Sequence, residues 1–207
     1  MLKKIFLASV LVVSCLNPAM AKFVDSKNAK EFVEQLSHDT LVIITNASLN
    51  DEKKFNMLCN KFISNVDTNW ISKFVLGAHY RKLNDVQKKE FAELYKDFLV
   101  NYYVPKFKQF NEDVIKILGV HELGDYRFKV STIIDRKKDF DVKVDYLVKP
   151  SENGDPKIYD IVAEDISMVT THRSEFTSVI SQKGYDGMVS YLRQKIDSQV
   201  KNRAVKS

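Results

Sequence analysis

The side chains best suited to bind a metal ion or carry a proton are four histidines: His38, His79, His121 and His172. No two of them stand four residues apart, as a helical pair of ligands would, and no cysteine accompanies them. Because a zinc site needs three or four converging ligands, this spacing predicts no metal site. The pattern places the histidines in loops and at the ends of elements, where we expect no catalytic role.

Two acidic pairs could do acid–base chemistry if their surroundings separated their pKa values. Asp139 and Asp141 share the outward face of a predicted strand, and Glu164 and Asp165 occupy a tight connection between two strands. Both patterns are typical of solvated carboxylates. The chain also lacks a G-x-S-x-G elbow, a phosphate-binding loop and a dinucleotide fingerprint. We therefore expect no catalytic residue and no enzyme, with a small hydrolase assembled from distant positions as the minor alternative.

Arg173 follows His172 at the predicted start of the helix after the last strand. Its guanidinium could pair with Glu175 or with a strand carbonyl, which would make it a structural residue. It could also stand at a cavity mouth and meet a phosphate, since arginine can offer an anion two parallel hydrogen bonds. Arg173 is therefore a candidate for a phosphate or partner contact.

Residues 1–21 have the three parts of a secretory signal peptide. Lys3 and Lys4 precede an apolar run at residues 5–13, and small residues follow at 19–21. The apolar run is too short to span a bilayer as a helix. The pattern predicts export, with a mature chain that begins at Lys22.

Residues 12–15 offer an alternative, because they also fit the acylation site of a bacterial lipoprotein. Acylation of Cys15 would anchor the protein to a membrane, but the well-placed residues 19–21 favour the soluble form. Removal of the signal peptide leaves Cys59 as the only thiol, so no intramolecular disulfide can form. We expect Cys59 to be a small buried hydrophobic residue.

The charge of the chain is mildly basic and well mixed, with 32 Lys and Arg against 27 Asp and Glu. No basic run is long enough to indicate nucleic-acid binding. The basic tail at residues 201–207 is expected to be disordered, as chain ends often are. Composition therefore excludes a nucleic-acid partner.

Helical spacing of apolar residues dominates residues 22–110. Shorter helices are predicted at residues 22–37, 51–63 and 70–76. The clearest helix begins after Asn84, which can form a capping box with Gln87, and ends before Pro105. Its apolar face is unusually aromatic and consists of Phe91, Leu94, Tyr95, Phe98 and Tyr102.

After Gly119 the period of the apolar residues becomes two, which predicts strands. Strands at 126–135 and 140–149 each have one apolar and one mostly polar face, as in an antiparallel sheet covered on one side. Further strands are predicted at 158–163 and 166–170, and the Asn-Gly pair at 153–154 indicates a hairpin turn.

This order of elements predicts an α+β fold. We expect an antiparallel twisted sheet of about four to five strands with helices packed on one face, enclosing an apolar cavity. A single domain covers residues 22–200. It comprises N-terminal helices at 22–110, the sheet at 114–170 and C-terminal helices at 171–200, which are interrupted at Gly184-Tyr185-Asp186-Gly187.

Four motifs follow one another along the chain. They are Phe74-Val75-Leu76-Gly77 with Tyr80-Arg81; Gln87-x-x-x-Phe91 with Phe98-Leu99-Val100-x-Tyr102; IVAEDISMV at residues 161–169; and Arg173-x-x-Phe176-x-x-x-Ile180 with the Gly-x-x-Gly break. In their order and spacing, over residues 32–196, they resemble the MlaC / toluene-tolerance family of periplasmic phospholipid-binding proteins.

The resemblance implies a soluble, monomeric periplasmic carrier that moves glycerophospholipid between the two membranes of a Gram-negative envelope and maintains outer-membrane lipid asymmetry. Its implied partners are an inner-membrane ABC transporter complex with an MCE-domain ring and an outer-membrane lipoprotein–porin complex. It implies no cofactor, only bound phospholipid as cargo. Acyl tails would lie in a cavity between sheet and helices with the head group outside, where Arg173 is the candidate contact.

Periodicity assigns residues to this cavity, because strand alternation and helical spacing place them on facing apolar surfaces. We expect walls formed by Phe98, Tyr102, Val130, Thr132, Val144, Tyr146, Val162 and Met168, with Leu76 and Phe176 near the mouth. The alternative is a periplasmic adaptor that has a solid core and binds a peptide or a partner protein without lipid.

Overall fold

The computed structural model describes residues 24–110, 114–136 and 140–206. The predicted signal peptide, its cleavage site, Cys15 and Asp139 lie outside these residues. In the part of the chain that is described, no helix combines the length and the apolar character needed to cross a membrane.

Local capping determines where the helices begin. Asp25 and Asn28 exchange hydrogen bonds at the start of the first helix, and Asn84 and Gln87 do so at the start of the fourth. Both pairs satisfy backbone N–H groups that have no partner inside the helix, and the predicted capping box is confirmed. The helices are α1 (Ser26–Thr45), α2 (Asp51–Asn65), α3 (Thr68–Leu76), α4 (Asp85–Tyr103) and α5 (Met168–Lys206), with short 3-10 helices at Gly77–Lys82 and Val104–Phe110.

The strands form one antiparallel meander in the order β1-β2-β3-β4-β5, which confirms the predicted α+β fold. Two-residue turns at Asp125–Tyr126 and Glu164–Asp165 have positive φ at both positions, as type I′ hairpins require. The strands are β1 (Val114–Gly124), β2 (Arg127–Asp135), β3 (Val142–Pro150), β4 (Pro156–Ala163) and β5 (Ile166–Ser167).

Two separate apolar cores hold the elements together. The larger core joins the helices to one another and to Ile158 of β4. The smaller core packs the first half of α1 on the sheet, through Ala29 and Val33 against Phe128 and Val130. The space between the two cores therefore lies under the second half of α1.

The structure corrects two predicted boundaries. Helix α1 does not end at residue 37 but continues to Thr45, because no glycine or proline interrupts it and Ile43 and Ile44 pack in the larger core. The strand predicted at 166–170 is shorter, since α5 begins at Met168.

A cap explains this early start of α5. The Val169 amide donates to Asp160 Oδ1 at 3.1 Å, and the Thr170 amide donates to Ser167 Oγ at 3.0 Å. The Ser167 hydroxyl in turn donates to Asp160 Oδ2 at 2.5 Å. Burial raises the pKa of Asp160 above its usual value, while these hydrogen bonds act in the opposite direction. Strand β4 therefore supplies the carboxylate that fixes the end of the sheet and the start of α5.

At the other end, α5 extends through Lys206 instead of becoming disordered at residue 201. Arg203 provides a reason, because its guanidinium stacks 3.9 Å from the Phe55 ring centroid and donates to Asn101 Oδ1 at 2.8 Å. The predicted break is present at Gly184, whose φ of 69° and ψ of −173° are not helical.

The cap predicts the effect of Ser167→Ala. Loss of the capping hydroxyl should lower the free energy of unfolding by about 1 kcal/mol, measured by urea denaturation at pH 7. Ser198→Ala is the matched control, because its hydroxyl only donates to the carbonyl of Gln194 within α5, and it should change stability little. Equal effects of the two substitutions would contradict the cap.

Candidate functional site

An apolar cavity of about 100 Å³, called the main cavity below, lies between α1, α2 and the sheet. Its walls are mostly aliphatic and aromatic. They are formed by Leu36, Ser37, Thr40, Leu41, Ile44, Leu58, Lys61, Phe62, Asn65, Val66, Phe107, Ile115, Ile134, Tyr146, Ile158 and Ile161.

Helical and strand periodicity bring these walls together. Leu36, Thr40 and Ile44 recur every four residues along α1 and therefore share one face of the helix. On the sheet, the register pairs Ile115 with Ile134 and Tyr146 with Ile161. Directly opposed residues of antiparallel strands point to the same side, so each pair presents two adjacent side chains to the cavity.

Polar groups at the α1–α2 side of the main cavity are paired. Lys61 Nζ lies 2.6 Å from Asp39 Oδ2, and this hydrogen bond is the main reason that the pKa of Asp39 is lowered. On the sheet side, burial raises the pKa of the Tyr146 hydroxyl to about 12. The cavity thus presents apolar surface and neutral or paired polar groups.

A smaller inner cavity of about 30 Å³ continues from the main cavity towards α4 and α5. The two cavities share the walls Phe62, Val66, Ile158 and Ile161. The inner cavity also reaches Tyr95, Tyr103, Met168 and His172.

A surface recess of about 340 Å³ follows, and it shares Tyr103, Met168 and His172 with the inner cavity. Its remaining walls are Phe98, Tyr102, Lys106, Ala163, Ile166, Thr171, Glu175 and Lys195. Main cavity, inner cavity and recess therefore lie next to one another, from the α1 wall to the surface beside α5, with shared side chains between them.

His172 lies where the inner cavity meets the recess. It stands in the first turns of α5, near the predicted start of that helix, and it is buried. Its Nδ1 is 2.8 Å from the Tyr95 hydroxyl and its Nε2 is 3.0 Å from the Tyr103 hydroxyl. A neutral imidazole satisfies both contacts, because one ring nitrogen donates and the other accepts.

Burial lowers the pKa of His172 from 6.5 to about 4. The nearby ammonium groups of Lys106 and Lys195 act in the same direction, while Glu175 opposes them. The ring also packs against Phe98 and Phe176, with centroid distances of 5.3 and 5.6 Å. This arrangement joins α4 to α5 and keeps the imidazole neutral at neutral pH.

The other titratable candidates do not assemble with His172. His38 and His121 are exposed, on α1 and β1, and His79 lies beside Ser181. Across the described ranges, no group of three His, Cys, Asp or Glu side chains could hold a metal ion. Cys59 is half-buried, and burial raises its pKa to about 11, which disfavours the reactive thiolate.

The structure places four of the predicted lipid-binding residues on the walls of these three cavities. Tyr146 lines the main cavity, Met168 lines both the inner cavity and the recess, and Phe98 and Tyr102 line the recess. Met168 does so from the first turn of α5 and not from a strand. Their contact with lipid stays a prediction.

The remaining predicted residues lie elsewhere. Val130 belongs to the smaller core, and Thr132 and Val144 are buried beside it, where the Thr132 hydroxyl donates to the Val144 carbonyl at 2.8 Å. Leu76 and Phe176 are fully buried in the larger core and not near a mouth.

Register explains why Val162 does not share the cavity face. It pairs with Asp145, whereas its neighbour Ile161 pairs with Tyr146. Because successive strand residues point to opposite sides, Ile161 and not Val162 faces the main cavity.

Arg173 also lies away from the recess. Its guanidinium carbon is 4.6 Å from the Phe74 ring centroid. It passes so close to Gly77 that a Cβ there would lie 3.1 Å from it. Arg173 thus packs on the end of α3, and the recess is lined by its neighbours Thr171 and His172 instead.

The sequence prediction missed the walls from α1 and α2. The signal that could have revealed them is the helical spacing of Leu36, Thr40 and Ile44, which continues beyond the predicted end of α1. In α2, Leu58 and Phe62 continue the same spacing to Val66.

Comparison with known proteins gives a consistent result. The family model described as MlaC protein matches residues 34–194. The chain is similar to the intermembrane phospholipid transport system binding protein MlaC of Haemophilus influenzae, with 21% identity over 138 residues, 65% of this chain and 64% of that relative. The matched region thus covers slightly less than two thirds of the relative's length.

The fold is similar to that of a phospholipid-binding protein from Ralstonia solanacearum, whose structure was solved in complex with a phospholipid. The TM-score is 0.74 at 21% sequence identity, over 84% of this chain and 99% of the other. At this identity the likeness establishes the shared fold.

The His172 geometry predicts a pH dependence. Because the pKa is lower in the folded protein than the ordinary 6.5, the stability that His172 contributes is present above pH 6.5 and is lost as the pH falls towards 4. Between pH 7 and pH 5 this loss should be about 2 kcal/mol. His172→Phe should lower the free energy of unfolding at pH 7, because the hydrogen bonds to the two tyrosines are lost. It should also make the decrease in this free energy between pH 7 and pH 5 smaller than in wild type.

Urea unfolding of wild type and His172→Phe at pH 7 and pH 5 measures how far the free energy of unfolding falls in each protein. The carboxylates contribute equally to both falls, so the difference between the two falls belongs to His172. An equal fall in both proteins would contradict the assigned role of His172.

A second prediction tests whether the main cavity is open space and the smaller core is filled. Val130→Trp should destabilise the protein by about 1–3 kcal/mol, because it overpacks the filled smaller core. Ile161→Trp adds its volume at the main cavity and should cost less. Urea unfolding compares the two. A larger loss of stability for Ile161→Trp than for Val130→Trp would mean that the main cavity has no room for an added side chain.

Proposed function

This chain belongs to the MlaC protein family, and on that premise we propose that it is a periplasmic carrier that binds glycerophospholipid by its acyl chains. The observation that carries the proposal is the apolar cavity between α1, α2 and the sheet, with the inner cavity and the surface recess adjacent to it. Apolar cavities next to a more polar recess match the chemistry of a molecule with apolar tails and a polar head.

The energetics favour such a cargo. Each buried methylene group stabilises binding by about 0.8 kcal/mol, so tails need apolar area and little polar recognition. The walls supply that area through leucine, isoleucine, phenylalanine and valine side chains from both helices and strands. Polar groups that could hold a tail in one fixed position are few.

The main cavity must enlarge to hold an acyl chain. Its volume of about 100 Å³ is below the roughly 300–1,000 Å³ of ordinary ligand pockets. The second half of α1 is the wall that we expect to move, because only the first half belongs to the smaller core on the sheet, through Ala29 and Val33. Ile43 and Ile44 in the second half pack in the larger core with α2, so α2 should move with it. We therefore expect lipid entry to displace α1 and α2 relative to the sheet.

The proposed cellular role is supported by the relative and by the predicted signal peptide at residues 1–21. The similar protein of Haemophilus influenzae is the binding protein of an intermembrane phospholipid transport system. We extend this role to the present chain, which would exchange lipid with an inner-membrane MCE-domain ABC transporter complex and an outer-membrane lipoprotein–porin complex. No catalytic step is part of this proposal.

The alternative of an adaptor with a solid core makes the opposite prediction for bound lipid. Organic extraction and mass spectrometry of the purified protein should yield diacyl phospholipid in a stoichiometric amount, because burial in the cavity makes its release from the protein slow. Protein that is folded and free of phospholipid would favour the adaptor.

The same measurement on variants should locate the lipid. Ile161→Trp should reduce the lipid recovered per folded protein several-fold, as the indole occupies the main cavity. Val86→Trp is the control, because Val86 is 78% exposed and the indole is added outside the cavity. Unchanged lipid in Ile161→Trp would place the tails elsewhere.

A further inference from the structure

The surface recess is the most polar of the three neighbouring cavities. Within the inner cavity the polar wall groups are Asp160, His172 and two tyrosine hydroxyls. The recess adds Lys106, Thr171, Glu175 and Lys195 at its walls. Polarity therefore rises from the inner cavity to the recess, in the order that tails and head group of one lipid would require.

Two ammonium groups stand at this end. Lys106 Nζ lies over the Tyr102 ring, 3.6 Å from its centroid, and 5.5 Å from the Tyr103 centroid. Lys195 Nζ is 3.3 Å from Glu175 Oε1, and the Tyr191 hydroxyl donates to the same oxygen. Since Glu175 is already shared by Lys195 and Tyr191, and His172 is neutral, the recess carries a net positive charge.

The two ammonium groups differ in their partners: Lys195 is paired with Glu175 but keeps further N–H groups for an anion, whereas Lys106 has no such ion pair among the described residues. Among the described residues, its recorded partners are aromatic faces and no carboxylate lies within ion-pair distance. A cation held on the face of an aromatic ring can still meet an anion from the opposite side.

Exposed apolar groups surround these charges. Ile166 is 64% exposed and Tyr102 is 40% exposed, and both line the recess. Tyrosine and lysine beside exposed aliphatic surface are the side chains found at the level of lipid head groups in membrane proteins. The recess thus combines the charged, aromatic and aliphatic side chains that can contact both the head group and the upper part of the acyl chains of a lipid.

From these observations, and resting on the proposed carrier function, we propose that Lys106 and Lys195 bind the phosphodiester of the carried lipid in the surface recess. The acyl chains then extend from the recess through the inner cavity past Met168. Arg173, on the far side of α5 against Phe74, takes no part in this contact.

The test compares two lipids with the same acyl chains, phosphatidylglycerol and diacylglycerol, of which only the first has a phosphate. Protein stripped of lipid is incubated with mixed vesicles of both lipids, and the bound ratio is measured by mass spectrometry. An exposed ion pair is worth a factor of about two to five, so wild type should prefer the phospholipid by at least that factor.

The variants remove the positive charges while keeping the length of the side chains. Lys106→Met with Lys195→Met should abolish the preference while total bound lipid is retained, and Lys106→Arg should keep it. Lys88→Met is the matched control, since Lys88 also lies over a tyrosine ring, Tyr80, at 5.6 Å, but lies outside the recess. It should keep the wild-type ratio.

Each other result overturns the inference. An unchanged ratio of bound phosphatidylglycerol to diacylglycerol in the double variant would show that the two lysines do not bind the head group. Loss of the preference in Lys61→Met alone would place the head group at the α1–α2 side of the main cavity. Binding of inorganic phosphate by the lipid-free protein at Lys106, without lipid preference, would indicate a free-anion site. Wild type that binds neither lipid would refute the carrier function itself, and the head-group site with it.

Discussion

The contact on which the architecture depends is the burial of the His172 imidazole between the hydroxyls of Tyr95 and Tyr103. It joins α4 to the start of α5, and the rings of Phe98 and Phe176 close around it. Because the same imidazole borders both the inner cavity and the surface recess, one buried polar group fixes the packing of two helices and the path between two cavities. A buried polar group of this kind is costly unless both of its nitrogens are satisfied.

The position of the cavity follows from the division of the core. Helix α1 belongs to the smaller core in its first half and forms a cavity wall in its second half. The second half is tied to α2 by the Lys61–Asp39 ion pair and by a hydrogen bond from Lys54 to the Ile44 carbonyl at 2.7 Å. Together with the packing of Ile43 and Ile44 in the larger core, these polar ties would make α1 and α2 shift as a pair if lipid entry displaced them.

Local signals made much of the fold predictable from the sequence. The Asn84–Gln87 box, the alternation in β2 and β3 and the glycine break in α5 each depend on residues close in the chain, and the structure contains all three. The errors arose where contacts between different elements decide the structure. Asp160 of β4 caps α5 and shortens β5, and the pairing of β4 with β3 turns Val162 away from the cavity face.

The candidate site was harder to predict for the same reason. Tyr146 and Met168 were placed on the cavity walls from periodicity, but Leu76 and Phe176 have equally apolar patterns and lie in solid core. Periodicity identifies which side chains face inwards, not whether the space that they face is filled. The role of His172 could not be inferred either, because its two partners are 77 and 69 residues away in the chain.

Gly184 shows that exposure alone is a poor guide to how a position tolerates mutation. The residue is exposed, and a Cβ there would meet no atom within 4 Å, yet its φ of 69° and ψ of −173° belong to a region that essentially only glycine occupies. That one backbone conformation redirects the second half of α5, so that Met188 and Leu192 return to the larger core beside Ile180. In natural variation or a saturation-mutagenesis screen, Gly184 should thus behave like a core residue although it stands on the surface.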